Sequence, residues 1–151
     1  MLYSIIKWIH ILSAITALGA NLTYPLWMIR ASLKREPLIF TLRRVRIMDD
    51  WMANPAYILA FFTGAGMLYV SKLPYNTPWI LTALILYAAV AVLGLFVYSP
   101  WLKKQIMLAE SVGPDAAEYK SVANRTSLLG AIVTLMVLVI TFLMVVKPQL
   151  W

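Results

Sequence analysis

Cysteine is absent from this chain, histidine occurs once, and the acidic residues number only six. The first absence excludes disulfides and thiolate metal sites, and with them any reading of redox compartment from cysteine usage. A single histidine, with no cysteine and no close carboxylate to help it, cannot complete a zinc or copper shell. Charge of either sign is scarce too. Charged residues make up 13% of the 151 positions, against about 25% in a soluble domain. A chain with so little polar surface needs lipid as its solvent. No internal repeat or low-complexity segment interrupts it.

What is present is apolar. Hydrophobic residues account for 62% of the chain and the mean hydropathy is +0.80. Four runs are long enough to cross roughly 30 Å of hydrocarbon. They cover about 2–28, 51–70, 79–98 and 127–146. No long polar segment separates them, so residues 1–151 form one integral membrane domain. The expected fold is all-α: an antiparallel bundle of four transmembrane helices with cytoplasmic helical extensions. The first run is too long for a signal peptide and lacks a small-x-small cleavage site, so it is expected to stay as a span.

The net charge of +7 follows topology rather than a polymer partner. Arg30, Lys34, Arg35, Arg43, Arg44 and Arg46 lie between spans one and two; Lys103, Lys104, Lys120 and Arg125 lie between spans three and four. Lys7, Lys72 and Lys147 fall on the other side. The positive-inside rule makes the richer side cytoplasmic and puts both termini outside. The expected setting is a bacterial cytoplasmic (inner) membrane. Lipid is the expected partner, with a homo-oligomer or larger membrane complex as a further candidate. Nucleic acid is not, because no basic surface with interleaved aromatics is free to meet it.

The connections between spans read as helical. Pro37 sits at a helix start with apolar residues at helical spacing after it, leading into span two. Gly113-Pro114-Asp115 reads as one helix stopping and another starting, with Pro114 in the first turn of the second and Gly113 near the tip of a hairpin. Trp8, Trp51, Trp79, Trp151, Tyr24 and Tyr98 are expected at the membrane interfaces.

Span one carries the most informative pattern. Lys7, His10, Ser13, Ala14, Ala17, Asn21 and Tyr24 recur at steps of three and four, so they share a face that excludes Ile5, Ile9, Leu12 and Ile15. Polar groups are costly in lipid, so this face looks into the bundle or a hydrated cavity. His10 lies about 10–15 Å below the outer surface by helical rise. Two readings stand for it: a neutral imidazole bonded to a neighbouring helix, or an axial ligand to haem iron, where the porphyrin supplies the other ligands. In an antiparallel neighbour its depth matches Phe62 to Met67. Gly64 and Gly66 there are small enough to admit a macrocycle or to let helices approach. Met67 is the candidate second axial ligand, Lys7 a weaker one. Asn21 shares the face and joins His10, Met67, Gly64 and Gly66 as a candidate cofactor contact. In span two, Pro55 frees a carbonyl near Trp51, which Asn54 can answer unless it pairs with Asn124. Arg125 reads as an interfacial anchor.

Lys7-Trp8-Ile9-His10-Ile11-Leu12-Ser13-Ala14 resembles the opening helix of the CopD/HemJ-like group of bacterial membrane proteins. Asn54-Pro55-Ala56 followed by Gly64 and Gly66, and Asn124 ahead of an apolar run ending in Lys147-Pro148, are similar to later helices of that group. The resemblance implies a four-helix membrane bundle binding haem b through His10. HemJ-type protoporphyrinogen IX oxidases carry a lysine at the start of the third helix, where this chain reads Trp79-Ile80-Leu81-Thr82-Ala83-Leu84. They also place an acidic residue after the helix-four asparagine, where this chain has Arg125. These departures imply an uncharacterised branch rather than a porphyrinogen oxidase. The expected function is therefore a haem-b-binding, redox-associated membrane protein. The alternative is a non-enzymatic accessory subunit or small-molecule carrier, and behind it stands a protoporphyrinogen IX oxidase-like enzyme.

Overall fold

The computed structural model describes residues 1–31 and 35–149; Lys34, Trp151 and the side chain of Arg35 lie outside the described residues. The chain is helical almost throughout, in the order α1 (Leu2–Ala31), α2 (Arg35–Met48), a π-helical segment (Asp49–Ala53), α3 (Asn54–Ser71), α4 (Pro78–Val92), a second π-helical segment (Leu93–Tyr98), α5 (Ser99–Ser111) and α6 (Ala117–Val146). α2 runs through its π segment into α3, and α4 through the other into α5. The result is four long helices, each long and apolar enough to cross a membrane.

They pack antiparallel, so the molecule has two ends. At the terminal end, Lys147 lies 5.5 Å from the ring of Trp79. At the basic end, Arg43 pairs with Glu110 at 2.7 Å, and Lys104 and Arg125 both lie over the ring of Trp101. Local chemistry sets the helix ends. Lys72 and Lys147 take left-handed conformations that stop α3 and α6, and Pro148 blocks continuation after the second. Gly113, with φ 88°, closes α5 where a side chain would strain the backbone. Pro114 falls in the turn before α6 rather than in its first turn, because the Gly113 cap leaves a short link ahead of Ala117.

The two π segments answer the prolines that follow them. A helical proline lacks an N–H and clashes with the carbonyl four residues back. Widening the preceding turn by one residue relieves this: Asn54 N–H bonds Asp49 O, and Ser99 N–H bonds Gly94 O, each five residues back. Asn54 itself makes no side-chain bond to Asn124 among the described residues.

Burial is uneven. The basic end buries Leu38, Leu42, Val45, Leu102, Gln105 and Ala109 almost completely, joined by Ala20, Tyr24, Ala31, Ala53 and Tyr119. Gln105 Nε2 donates to Tyr119 Oη at 3.2 Å inside this core. Towards the terminal end the seams hold small residues, among them Ser13, Ala17, Ala56, Ala60 and Ala83. Ile5, Leu12, Ile15, Leu135 and Phe142 are exposed there as an apolar belt. The polar face of α1 does turn inward through Ser13, Ala17 and Tyr24, while Lys7 is exposed.

Candidate functional site

Two places collect the polar side chains of the bundle. The first is the α1–α3 seam around His10. Its Nδ1 lies 2.9 Å from Ala60 O and 3.1 Å from Thr63 Oγ1. A carbonyl oxygen only accepts, so the proton sits on Nδ1. The Thr63 hydroxyl is free to accept as well, since its own proton goes to Leu59 O at 2.6 Å. Nε2 then carries the lone pair. The antiparallel pairing is the expected one, with the level of His10 displaced from Phe62 to Met67 towards the start of α3.

Gly64 and Gly66 lie in the same seam. A Cβ on Gly64 would meet His10 Cε1 at 3.2 Å, and one on Gly66 would meet Ile6 Cγ2 at 3.7 Å. The room these glycines provide is thus filled by the imidazole and by Ile6, and a porphyrin does not fit between α1 and α3 at this level. Met67, one turn from Thr63, is half-buried near the same seam. Asn21 stands apart, eleven residues along α1 from His10 and so about 16 Å away.

The second place is a cavity of about 260 Å³ at the level of the π segments. Its wall includes Asn21, Tyr24, Asp49, Asn54, Tyr57, Tyr87, Gly94, Tyr98, Thr126 and Thr134. Each helix contributes for a reason visible in its sequence. α1 brings Asn21 and Tyr24 on its inward face, beside Pro25. The first π segment brings Asp49, and the widened turn before Pro100 brings Gly94 and Tyr98. Asn21 Nδ2 donates to Tyr57 Oη at 2.7 Å and to Ala17 O at 2.8 Å. Tyr87 Oη donates to Tyr57 O at 2.6 Å, and Tyr87 stacks on Phe61. These bonds hold two tyrosine rings in place.

Two groups on that wall are left over. Tyr24 is 6% exposed, and its hydroxyl is buried without a hydrogen-bond partner. Such a group costs about 1–3 kcal/mol. Asp49 makes no side-chain ion pair among the described residues, because its neighbour Asp50 takes the available cation: Arg46 Nε donates to Asp50 Oδ2 at 2.8 Å. Arg46 also donates through Nη1 to Ser99 Oγ at 2.6 Å, so it links one π segment to the end of the other.

Tyr24 and Tyr98, expected near the interfaces, turn into the bundle and line the cavity rather than facing outward. Trp8 and Trp51, at 62% and 80% exposed, do stand on the outside. The cavity itself was not foreseen. Its one signal in the sequence is the clustering of Pro25, Pro55 and Pro100, each beside polar residues.

Four long apolar helices packed side by side define an integral membrane protein of the four-helix class. The family model described as "Predicted integral membrane protein (DUF2269)" matches residues 4–148, and the chain belongs to that family. No curated protein and no solved structure matches it.

Proposed function

We propose that this membrane protein binds a small molecule in the cavity at its basic end, as a carrier or accessory subunit rather than through chemistry of its own. The observation behind this reading is a space of about 260 Å³ that no side chain fills, walled by Asn21, Asp49, Asn54 and Tyr57 among apolar side chains. Two π segments at the same level support it, since such turns concentrate at functional sites. Gly94 offers the test. A Cβ there meets nothing within 4 Å, so the backbone at this point of the wall accepts a side chain, and Gly94→Leu is the variant designed to occupy the cavity. Native mass spectrometry of protein extracted from its own membrane should show a small-molecule adduct that Gly94→Leu loses. Equal adducts in both proteins, or none in either, would overturn the reading.

A second reading keeps haem b, in line with the CopD/HemJ resemblance. It is favoured by one observation, the Nδ1–H bond to Ala60 O, which leaves Nε2 as the basic nitrogen. Haem, when bound, would supply one-electron chemistry. This chain would supply His10 from outside the α1–α3 seam, with Gly64 and Gly66 serving helix contact and Met67 as the neighbouring donor. Purified protein expressed with added haem should show a Soret band that His10→Ala removes, and a colourless protein would end this reading.

The reading sets the protein in a bacterial inner membrane with its basic end facing the cytoplasm, which the excess of lysine and arginine at that end supports. Reporters on both termini should then be reached from outside intact cells; protection of both would reverse the orientation.

A further inference from the structure

The chemistry of the cavity wall narrows the class of molecule it takes. Its described lining residues include no lysine, arginine or histidine. The one charged side chain on it is Asp49, at the start of the first π segment. The nearest cation, Arg46, acts on Asp49 through space but gives its hydrogen bonds to other groups, and Arg43, Arg125 and Lys104 are engaged elsewhere. Arg46 is held by Asp50 and Ser99, Arg43 by Glu110, and Arg125 and Lys104 lie over Trp101. The same wall carries the rings of Tyr24, Tyr57, Tyr87 and Tyr98. The hydroxyl of Tyr24 is close enough to Asp49, Tyr57 and Tyr98 to interact with each electrostatically.

A carboxylate set among electron-rich rings, in a space walled mainly by apolar side chains, has a natural complement. Aromatic faces attract cations, and a carboxylate in low dielectric needs a counter-charge. The rest of the wall, with Met28, Ile58, Val90 and Leu95, suits a hydrocarbon body. We infer that the cavity binds an organic monocation, an amine or quaternary ammonium with an apolar body, with Asp49 as counter-ion and the tyrosines as its cage. The inference rests on the cavity being the binding site, as proposed above. At interior packing density the space accepts roughly a dozen heavy atoms.

A matched pair of probes tests this. Benzyltrimethylammonium and neopentylbenzene have the same shape and differ in one charge. Labelled forms are equilibrated with the full chain in lipid nanodiscs, with binding to empty discs subtracted. The cation should bind saturably and at least tenfold more tightly than its neutral isostere. Asp49→Asn should weaken the cation at least tenfold and leave the isostere unchanged, which also reports that the variant is folded. Gly94→Leu should abolish both. Equal binding of the two probes, both blocked by Gly94→Leu, would overturn the cation inference while leaving the cavity as the site. So would a cation affinity that Asp49→Asn does not change. If neither probe saturates, or Gly94→Leu changes nothing, the cavity reading falls with it. Should Asp49→Asn fail to fold, the ratio of the two probes on the unaltered protein decides alone.

Discussion

The basic end and the terminal end of this bundle are held together by different means. At the basic end, Leu38, Leu42 and Leu102 are sealed inside, and Gln105 is buried with a partner. Towards the terminal end the seams hold alanine, serine and glycine, and most of the large apolar side chains point outward. The difference follows from the solvent each end meets. Beyond the bilayer, helices gain by removing leucine from water. Within it lipid tails are as apolar as leucine, so association relies on close backbone approach and a few hydrogen bonds. The His10 bonds to Ala60 and Thr63 belong to the second kind of cohesion, the Leu42 core to the first.

That contrast breaks most readily at its strongest point. Leu42→Ala should cost about 2–5 kcal/mol, the usual loss for a buried leucine, whereas Leu135→Ala, 63% exposed, should cost about 0.5 kcal/mol or less. Steric-trap unfolding in micelles measures both, and equal costs would erase the distinction between the ends. Arg46→Met should come next, at about 1–3 kcal/mol, since it strips the Ser99 hydroxyl and Asp50 of a charged partner. Amide exchange at 49–54 and 94–99 should quicken together; faster exchange in one segment alone would show that Arg46 does not join them. His10→Ala should cost about 1 kcal/mol, in keeping with hydrogen bonds between membrane helices. A loss as large as that of Leu42→Ala would mean the terminal end depends on this histidine far more than its two bonds explain. Arg43→Ala should be smallest, about 0.5 kcal/mol or less, because its pair with Glu110 is exposed and screened.

The parts of the molecule legible from sequence are those governed by periodicity and length. The four helices, the inward face of α1 and the antiparallel pairing of α1 with α3 follow from counting residues, with His10 set against Ala60, Thr63 and Gly64, overlapping the expected Phe62 to Met67 and displaced towards the start of α3. The cavity does not, because it depends on where helices leave the membrane and how a proline is accommodated. Counting rise gives the level of Tyr24 and Tyr98 but not that their rings turn into the bundle, which depends on how the helices pack. Pro55 and Pro100 announce an interrupted helix, but a kink and a widened turn look alike in sequence. Gly64 and Gly66 posed the same ambiguity at His10, where space for a ligand and space for an imidazole ask for the same residue. An unpartnered hydroxyl such as that of Tyr24 leaves no trace in composition at all.

Arg46 bonds to a residue inside one widened turn and to the residue directly after the other. Sliding either long helix past its neighbour by one residue would break the Ser99 attachment and leave the Arg46–Asp50 pair, internal to one helix, intact. The second widened turn is therefore held in register with the first by a single side chain that the first turn itself orients.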